Sequence, residues 1–214
     1  SACLPGAAVA RDDAPAWRAG VARAVITPHT PVWLAGYGSK RVPDGKLHDL
    51  WMKALSLESP DGTRVVLVTS DFQGVPASMS DRVFAAVENR HGLGRDALMI
   101  TFSHNHCGPR LGDDLQDYYP VEEGQERLVA DYTDACVERM TALVGDALAA
   151  LAPATLATAR GRCTFAVNRR ANVESEVPAL RAAGTPLAGP VDHDVPLLVV
   201  RRADGDGGPV AILF

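Results

Sequence analysis

Two histidines one residue apart, His104 and His106, stand in the stretch Thr101-Phe102-Ser103-His104-Asn105-His106-Cys107-Gly108-Pro109. Imidazole is both the commonest transition-metal ligand and a proton carrier near neutral pH, so this pair is the first candidate for chemistry. On an extended backbone, residues i and i+2 project to the same side, and both rings can then address one cation or one substrate. Gly108-Pro109 breaks the strand and turns the chain away. Cys107 lies between His106 and Gly108, where a thiolate nucleophile is conceivable, but neighbouring residues on a strand point to opposite sides.

The pair needs a sheet edge to hold it. The apolar residues 97–100 before it read as a strand, and residues 64–70, rich in β-branched side chains, read as another. Between them, residues from Ser78 or Ser80 to His91-Gly92 carry Val83, Phe84 and Val87 on one helical face. This strand, helix, strand succession has the length of a parallel crossover. Asp71 and His104 then both fall just past the carboxyl ends of neighbouring strands, where open α/β sheets bind ligands. Asp71 is accordingly a partner orienting a histidine, a substrate contact, or a loop-entry cap.

Other elements follow in order. Residues 20–28 and 52–58 read as strands, with Pro60-Asp61-Gly62 as a hairpin turn. Gly36 and Gly38 flank Tyr37, which suits either a backbone approach to a ligand, with Tyr37 touching substrate, or a plain glycine turn. The acidic residues 113–123, containing Tyr118-Tyr119-Pro120, are expected to cover the site. Residues 125–151 form the clearest helix, with Cys136 on its inner face as a core residue. Residues 155–167 read as one or two strands ending at Asn168-Arg169-Arg170. These polar residues form a solvated surface, or Asn168 and Arg169 bind a polar or anionic substrate group. A Gly- and Pro-rich loop follows, then Asp192-His193-Asp194, of which at most two side chains share one target. Residues 197–202 and 210–214 close as a hairpin. The expected fold class is α/β (mixed α+β), a mixed sheet with flanking helices in which the crossover carries the histidine motif.

Composition narrows the function classes. The chain has 214 residues, 47% hydrophobic and 22% charged, with 21 basic and 26 acidic residues giving a formal charge of -5. No basic run is present, which argues against nucleic acid and against polybasic docking to a membrane, and no apolar run approaches the roughly 20 residues of a transmembrane helix. The four cysteines show no C-x-x-C spacing, so a zinc ribbon or a redox dithiol is not expected. Residues 1–16 are expected to be a signal-peptide remnant or a disordered terminus, with Cys3 a possible lipid anchor, in a secreted or periplasmic protein. Residues 17–214 are expected to form one hydrolase domain cut short at its carboxyl end.

Taken together, residues 20–28 with Gly36-Tyr37-Gly38, residues 65–71, residues 103–109, and residues 165–170 with 192–200 resemble the amino-terminal half of the neutral/alkaline, non-lysosomal ceramidase family. The most specific part, His104-Asn105-His106-Cys107-Gly108-Pro109, is similar to that family's H-T-H-S-G-P, with Asn105 and Cys107 in place of Thr and Ser. The resemblance implies that His104 is a zinc ligand and that His106 is catalytic, facing the substrate amide. It also implies that the remaining His, Glu and Tyr ligands and a serine lie beyond residues 210–214. The implied reaction is zinc-assisted hydrolysis of the N-acyl bond of ceramide or a related N-acyl lipid, with peripheral contact to a membrane. Two alternatives stand beside it: a zinc amidase for a non-sphingolipid N-acyl substrate, and a secreted, non-catalytic binding domain on the same scaffold.

Overall fold

Trp51–Glu58 (β2) and Arg64–Ser70 (β3) pair antiparallel around the turn containing Gly62, whose φ of 87° suits a residue without a Cβ. The computed structural model describes residues 17–120, 123–204 and 207–214. The expectations for residues 1–16, Cys3 included, therefore lie outside the described residues. The chain divides into two compact units, one holding residues up to 155 together with 202–204, the other residues 156–201 and the carboxyl-terminal stretch.

In the first unit, Arg18–Val25 (β1) pairs antiparallel with β2 over its whole length, and Leu98–Phe102 (β4) pairs parallel with β3 in the register Val66↔Leu98 to Ser70↔Phe102. The strand order is β4-β3-β2-β1, followed by the start of Ala152–Arg162 (β5), which meets β1 at Arg18↔Pro153 and Ala19↔Ala152. The sheet is thus mixed, with one parallel pair where the crossover helix was expected.

That helix, Ala77–His91 (α1), starts after Pro76 and not at a serine cap. The Ser80 hydroxyl donates to the Ala77 carbonyl at 2.9 Å, a bond inside the first turn, and neither Ser78 nor Ser80 stands at the cap position. Gly92, at φ 64°, ends the helix as predicted, its N–H bonded to Glu88. Gln125–Ala149 (α2) packs beside α1, and alternate strand residues meet both helices: Met52, Val66 and Val68 from the sheet, Val83 and Val87 from α1, Met140 and Val144 from α2. Each such side chain is withdrawn from water, contributing about 1.5–3 kcal/mol. Cys136 belongs to this core, where burial pushes its thiol up to about 11. No helix among the described residues is long and apolar enough to cross a membrane.

The contact between sheet and α2 is close enough to exclude a side chain. A Cβ on Gly20 of β1 would stand 2.1 Å from the Ala147 carbonyl oxygen. The same oxygen accepts the hydroxyl of buried Ser56 at 2.6 Å, so the polar groups trapped at this contact are paired.

In the second unit, β5 continues and neighbours Asp194–Arg202 (β6), which pairs antiparallel with Ala211–Leu213 (β7). The stretch read as a loop after Arg170 contains a short helix, Val177–Ala182 (α3), begun by Pro178 in its first turn. Its six residues show too little of a helical repeat to be seen as a period. The residues after Arg162, up to Val167, are not a strand.

Candidate active site: two imidazoles at the carboxyl end of a parallel strand pair

The parallel pair fixes where the site begins. Ser103 N–H donates to the Ser70 carbonyl at 3.0 Å as the last rung, and Asp71 N–H donates to the Trp51 carbonyl at 2.9 Å. Asp71 then serves the backbone. One carboxylate oxygen accepts the Trp51 N–H at 2.9 Å, the other lies 3.5 Å from the Ser103 hydroxyl, and its carbonyl accepts the Asn105 side-chain amide at 2.7 Å. Phe72, fully buried, anchors the next residue.

The rings of His104 and His106 converge, but not through strand alternation. β4 stops at Phe102, and His104 adopts a left-handed backbone with φ 55°. Asn105 makes the following turn, its side-chain oxygen accepting the Cys107 N–H at 2.9 Å while its amide holds Asp71. Gly108 is required by the same packing, since a Cβ there would be 2.9 Å from the Asp71 carbonyl oxygen. A left-handed non-glycine residue costs on the order of 1–3 kcal/mol, and here the surrounding bonds hold it.

This turn brings His104 Nε2 to 3.4 Å from His106 Nε2, with ring centroids 5.0 Å apart. The other nitrogens differ. His104 Nδ1 is 2.6 Å from the Gln73 carbonyl oxygen, whereas His106 Nδ1 is buried and has no partner among the described residues. A metal-ligating histidine nearly always donates its second ring N–H to such an acceptor. His104 therefore has the second bond that a ligand needs, and His106 does not. Among the described residues no group of three His, Cys, Asp or Glu converges.

The wall behind His106 comes from the glycine turn. Gly36, Tyr37 and Gly38 all have positive φ, 94°, 65° and 62°. A Cβ on Gly36 would stand 2.7 Å from the His106 ring, and one on Gly38 would stand 2.7 Å from the Tyr118 ring. The Tyr37 ring meets His106 edge to face at 4.6 Å and is 69% exposed, so its outer face is open to a ligand. The Tyr118-Tyr119 segment lies alongside, Tyr119 Oη accepting the Gly36 N–H at 2.5 Å. Arg110 stacks over the Tyr119 ring at 4.2 Å, and burial lowers its pKa.

One residue that sequence reading passed over as part of a polar loop is Arg41. Its guanidinium donates to the carbonyls of Ala35 (2.9 Å) and His106, and stands 5.2 Å from the Tyr37 ring. It ties the glycine turn to the histidine turn. The Gln73 carbonyl was likewise unforeseeable, because a backbone acceptor has no signature in residue type. Beyond this wall an open cavity of about 710 Å³ is lined by Arg41, Cys107, Pro109, Leu47, His29 and His48. Cys107 lines this cavity, whose lining does not include the imidazole pair; the turn after Phe102, and not strand alternation, separates them.

The first unit thus gathers Tyr37, His104 and His106, with Asp71 bracing the backbone beneath them. Asn168 and Arg169 belong to the second unit. There the Asn168 side chain accepts the Arg170 and Ala171 N–H groups, both at 3.1 Å, and donates to Pro190 at 3.0 Å, while Arg169 pairs with Glu174 at 3.2 Å. His193 is 3.3 Å from Arg162 and 3.5 Å from the Ala166 carbonyl, a local tie within that unit.

No protein-family model and no curated protein sequence matches the chain. Solved structures share its fold. A neutral ceramidase from Pseudomonas aeruginosa superposes with a TM-score of 0.69 at 22% identity, over 91% of this chain and 31% of that one. A ceramidase complexed with C2 gives 0.71 at 22% identity, over 92% and 30%. The chain therefore spans less than a third of the length of either.

Proposed function

We propose that this chain is the histidine-bearing part of a zinc-dependent amide hydrolase of the neutral ceramidase type, cleaving the N-acyl bond of ceramide or a related N-acyl lipid. The observation that carries this reading is the pairing of His104 Nδ1 with the Gln73 carbonyl, which leaves Nε2 as an oriented lone pair at the mouth of the site. The shared fold and the His104 to Pro109 motif support it.

In this reading His104 Nε2 is one zinc ligand. Zinc held there would supply Lewis acidity toward the amide carbonyl and would make water more acidic. The remaining work belongs to side chains. His106, whose Nε2 lies 3.4 Å from that of His104, would face the substrate amide. Tyr37 offers an exposed aromatic face to the lipid, and Asp71 fixes the turn carrying both imidazoles. A lipid substrate calls for peripheral contact with a membrane surface, and a secreted or periplasmic location remains the reading of the amino-terminal segment.

The test is hydrolysis of ceramide and of simple N-acyl amino acids by the natural full-length polypeptide, with and without chelator. Fatty-acid release from ceramide that a chelator abolishes and His104→Ala removes is expected. Release that survives both treatments would sink the proposal, and release from N-acyl amino acids alone would replace the lipid by a small amide.

A further inference from the structure

We propose that the cavity between the start of α1, the first half of α2 and the loop after Pro109 binds a small zwitterion of the α-amino acid class, its carboxylate on Arg110 and its ammonium group on the acidic rim. The site shares no residue with the imidazole pair, and the proposal stands without the zinc reading.

The observation that carries it is a guanidinium that the fold does not satisfy. An arginine side chain stays charged and offers five N–H donors. Several exposed arginines of the first unit are paired with carboxylates, Arg64 with Glu58 at 2.5 Å, Arg82 with Asp134 at 2.8 Å, Arg90 with Glu138 at 2.8 Å and Arg95 with Asp81 at 2.7 Å. Arg41 and Arg139 donate to backbone carbonyls. Arg110 is half-buried, and the fold gives it less. The Tyr119 ring covers it at 4.2 Å, and its Nε is buried with no partner among the described residues. A buried donor left unpaired is costly, and more so when it carries charge. Asp114, on the same loop, is close enough for the two charges to be felt but makes no ion pair with Arg110, and burial raises its pKa above the usual carboxylate range.

Arg110 lines an open cavity of about 560 Å³, within the range of small-molecule sites. The neutral polar side chains of the inner wall are already engaged. The Thr133 hydroxyl accepts the Gly112 N–H at 2.8 Å and donates to the Val129 carbonyl at 2.7 Å, while Gln125 accepts the Trp33 N–H and donates to the Pro31 carbonyl, both at 3.2 Å. Arg82 and Asp134, also on the lining, neutralise each other. Arg110 is therefore the group that a ligand meets, through the two parallel N–H···O bonds a guanidinium makes to a carboxylate.

The rim narrows the class of ligand. Asp117 and Glu126 line the same cavity and are exposed, so the mouth is negative around one inner positive charge. A simple anion is repelled by that rim, and a simple cation faces the guanidinium. A molecule with a carboxylate and an ammonium group on one small frame matches both.

Titration of the 214-residue chain with L-alanine, followed by proton–nitrogen NMR, tests the site. Saturable shifts of the Gly112 amide and the Arg110 Nε–H signals are expected, with a Kd on the order of 1 mM. Acetate alone and ethylammonium alone are expected to bind at least about tenfold more weakly. Arg110→Met keeps an unbranched side chain against Tyr119 and removes the charge. It is expected to weaken L-alanine binding at least about tenfold while leaving the urea midpoint unchanged or higher, because an unpaired buried charge is gone. Glu126→Gln is expected to weaken L-alanine about threefold without weakening acetate. The absence of saturable shifts with L-alanine, or acetate binding as tightly as L-alanine, overturns the proposal. A lowered urea midpoint for Arg110→Met overturns it too, since the fold itself would then be satisfying the guanidinium.

Discussion

His104 holds its ring in place with an unfavourable backbone angle and a single carbonyl, and its neighbour depends on a residue that has no side chain. Gly36 combines φ 94° with direct contact against the His106 ring. Gly36→Ala must both strain the backbone and push the imidazole away, at a cost on the order of 1–3 kcal/mol. A lowered urea midpoint together with shifted His106 ring resonances is the expected result. Unmoved resonances would mean that the glycine turn does not set the ring. At this scale sequence reading singled out His104, His106 and Tyr37 but not the groups they contact, since Arg41 and the Gln73 carbonyl reach them through tertiary contacts.

Element packing turns on two contacts, one across the sheet and one between the sheet and α2. Glu58 of β2 receives Arg64 at 2.5 Å from β3 and Arg18 at 2.8 Å from β1, and these bonds, Arg64 first, hold its carboxyl below the usual range. A depressed carboxyl stabilises the fold above its unfolded pKa, and that contribution is lost as pH falls through the native value. Glu58→Gln should therefore lower the urea midpoint at pH 7 and converge with the parent chain in acid near pH 2; a gap that persists in acid would refute the ion-pair account. At the second contact, Gly20→Ala would drive a methyl into the Ala147 carbonyl oxygen. Separation of β1 from α2, costing roughly 2–4 kcal/mol in chemical denaturation, is the expected outcome. Strands β1 to β4 and both long helices were readable from apolar runs and helical spacing, whereas residues 163–167, also read as strand, are not one. The start of α1 was not, since Pro76 leads in without a side-chain bond, and α3 was too short to show a repeat.

Across the molecule, the histidine pair lies in one unit and Asn168 with Arg169 in the other. Structural zinc sites reach about 10–16 kcal/mol with a full ligand set, and one imidazole corner supplies a fraction of that. The 214-residue chain alone should bind zinc more weakly than about 1 µM and release no fatty acid from ceramide, which equilibrium dialysis and a turnover assay check. One tightly held zinc per chain would show that the chain supplies more ligands than His104. The sequence by itself determined the periodic elements, the strand-helix-strand crossover and the position of the histidine motif at its end, because alternation and helical spacing record which faces leave water. Only the tertiary structure decided how the two imidazoles differ. That difference rests on the left-handed turn at His104, the Gln73 carbonyl and the unpartnered Nδ1 of His106, each made by residues distant in the chain or by backbone atoms that every residue carries.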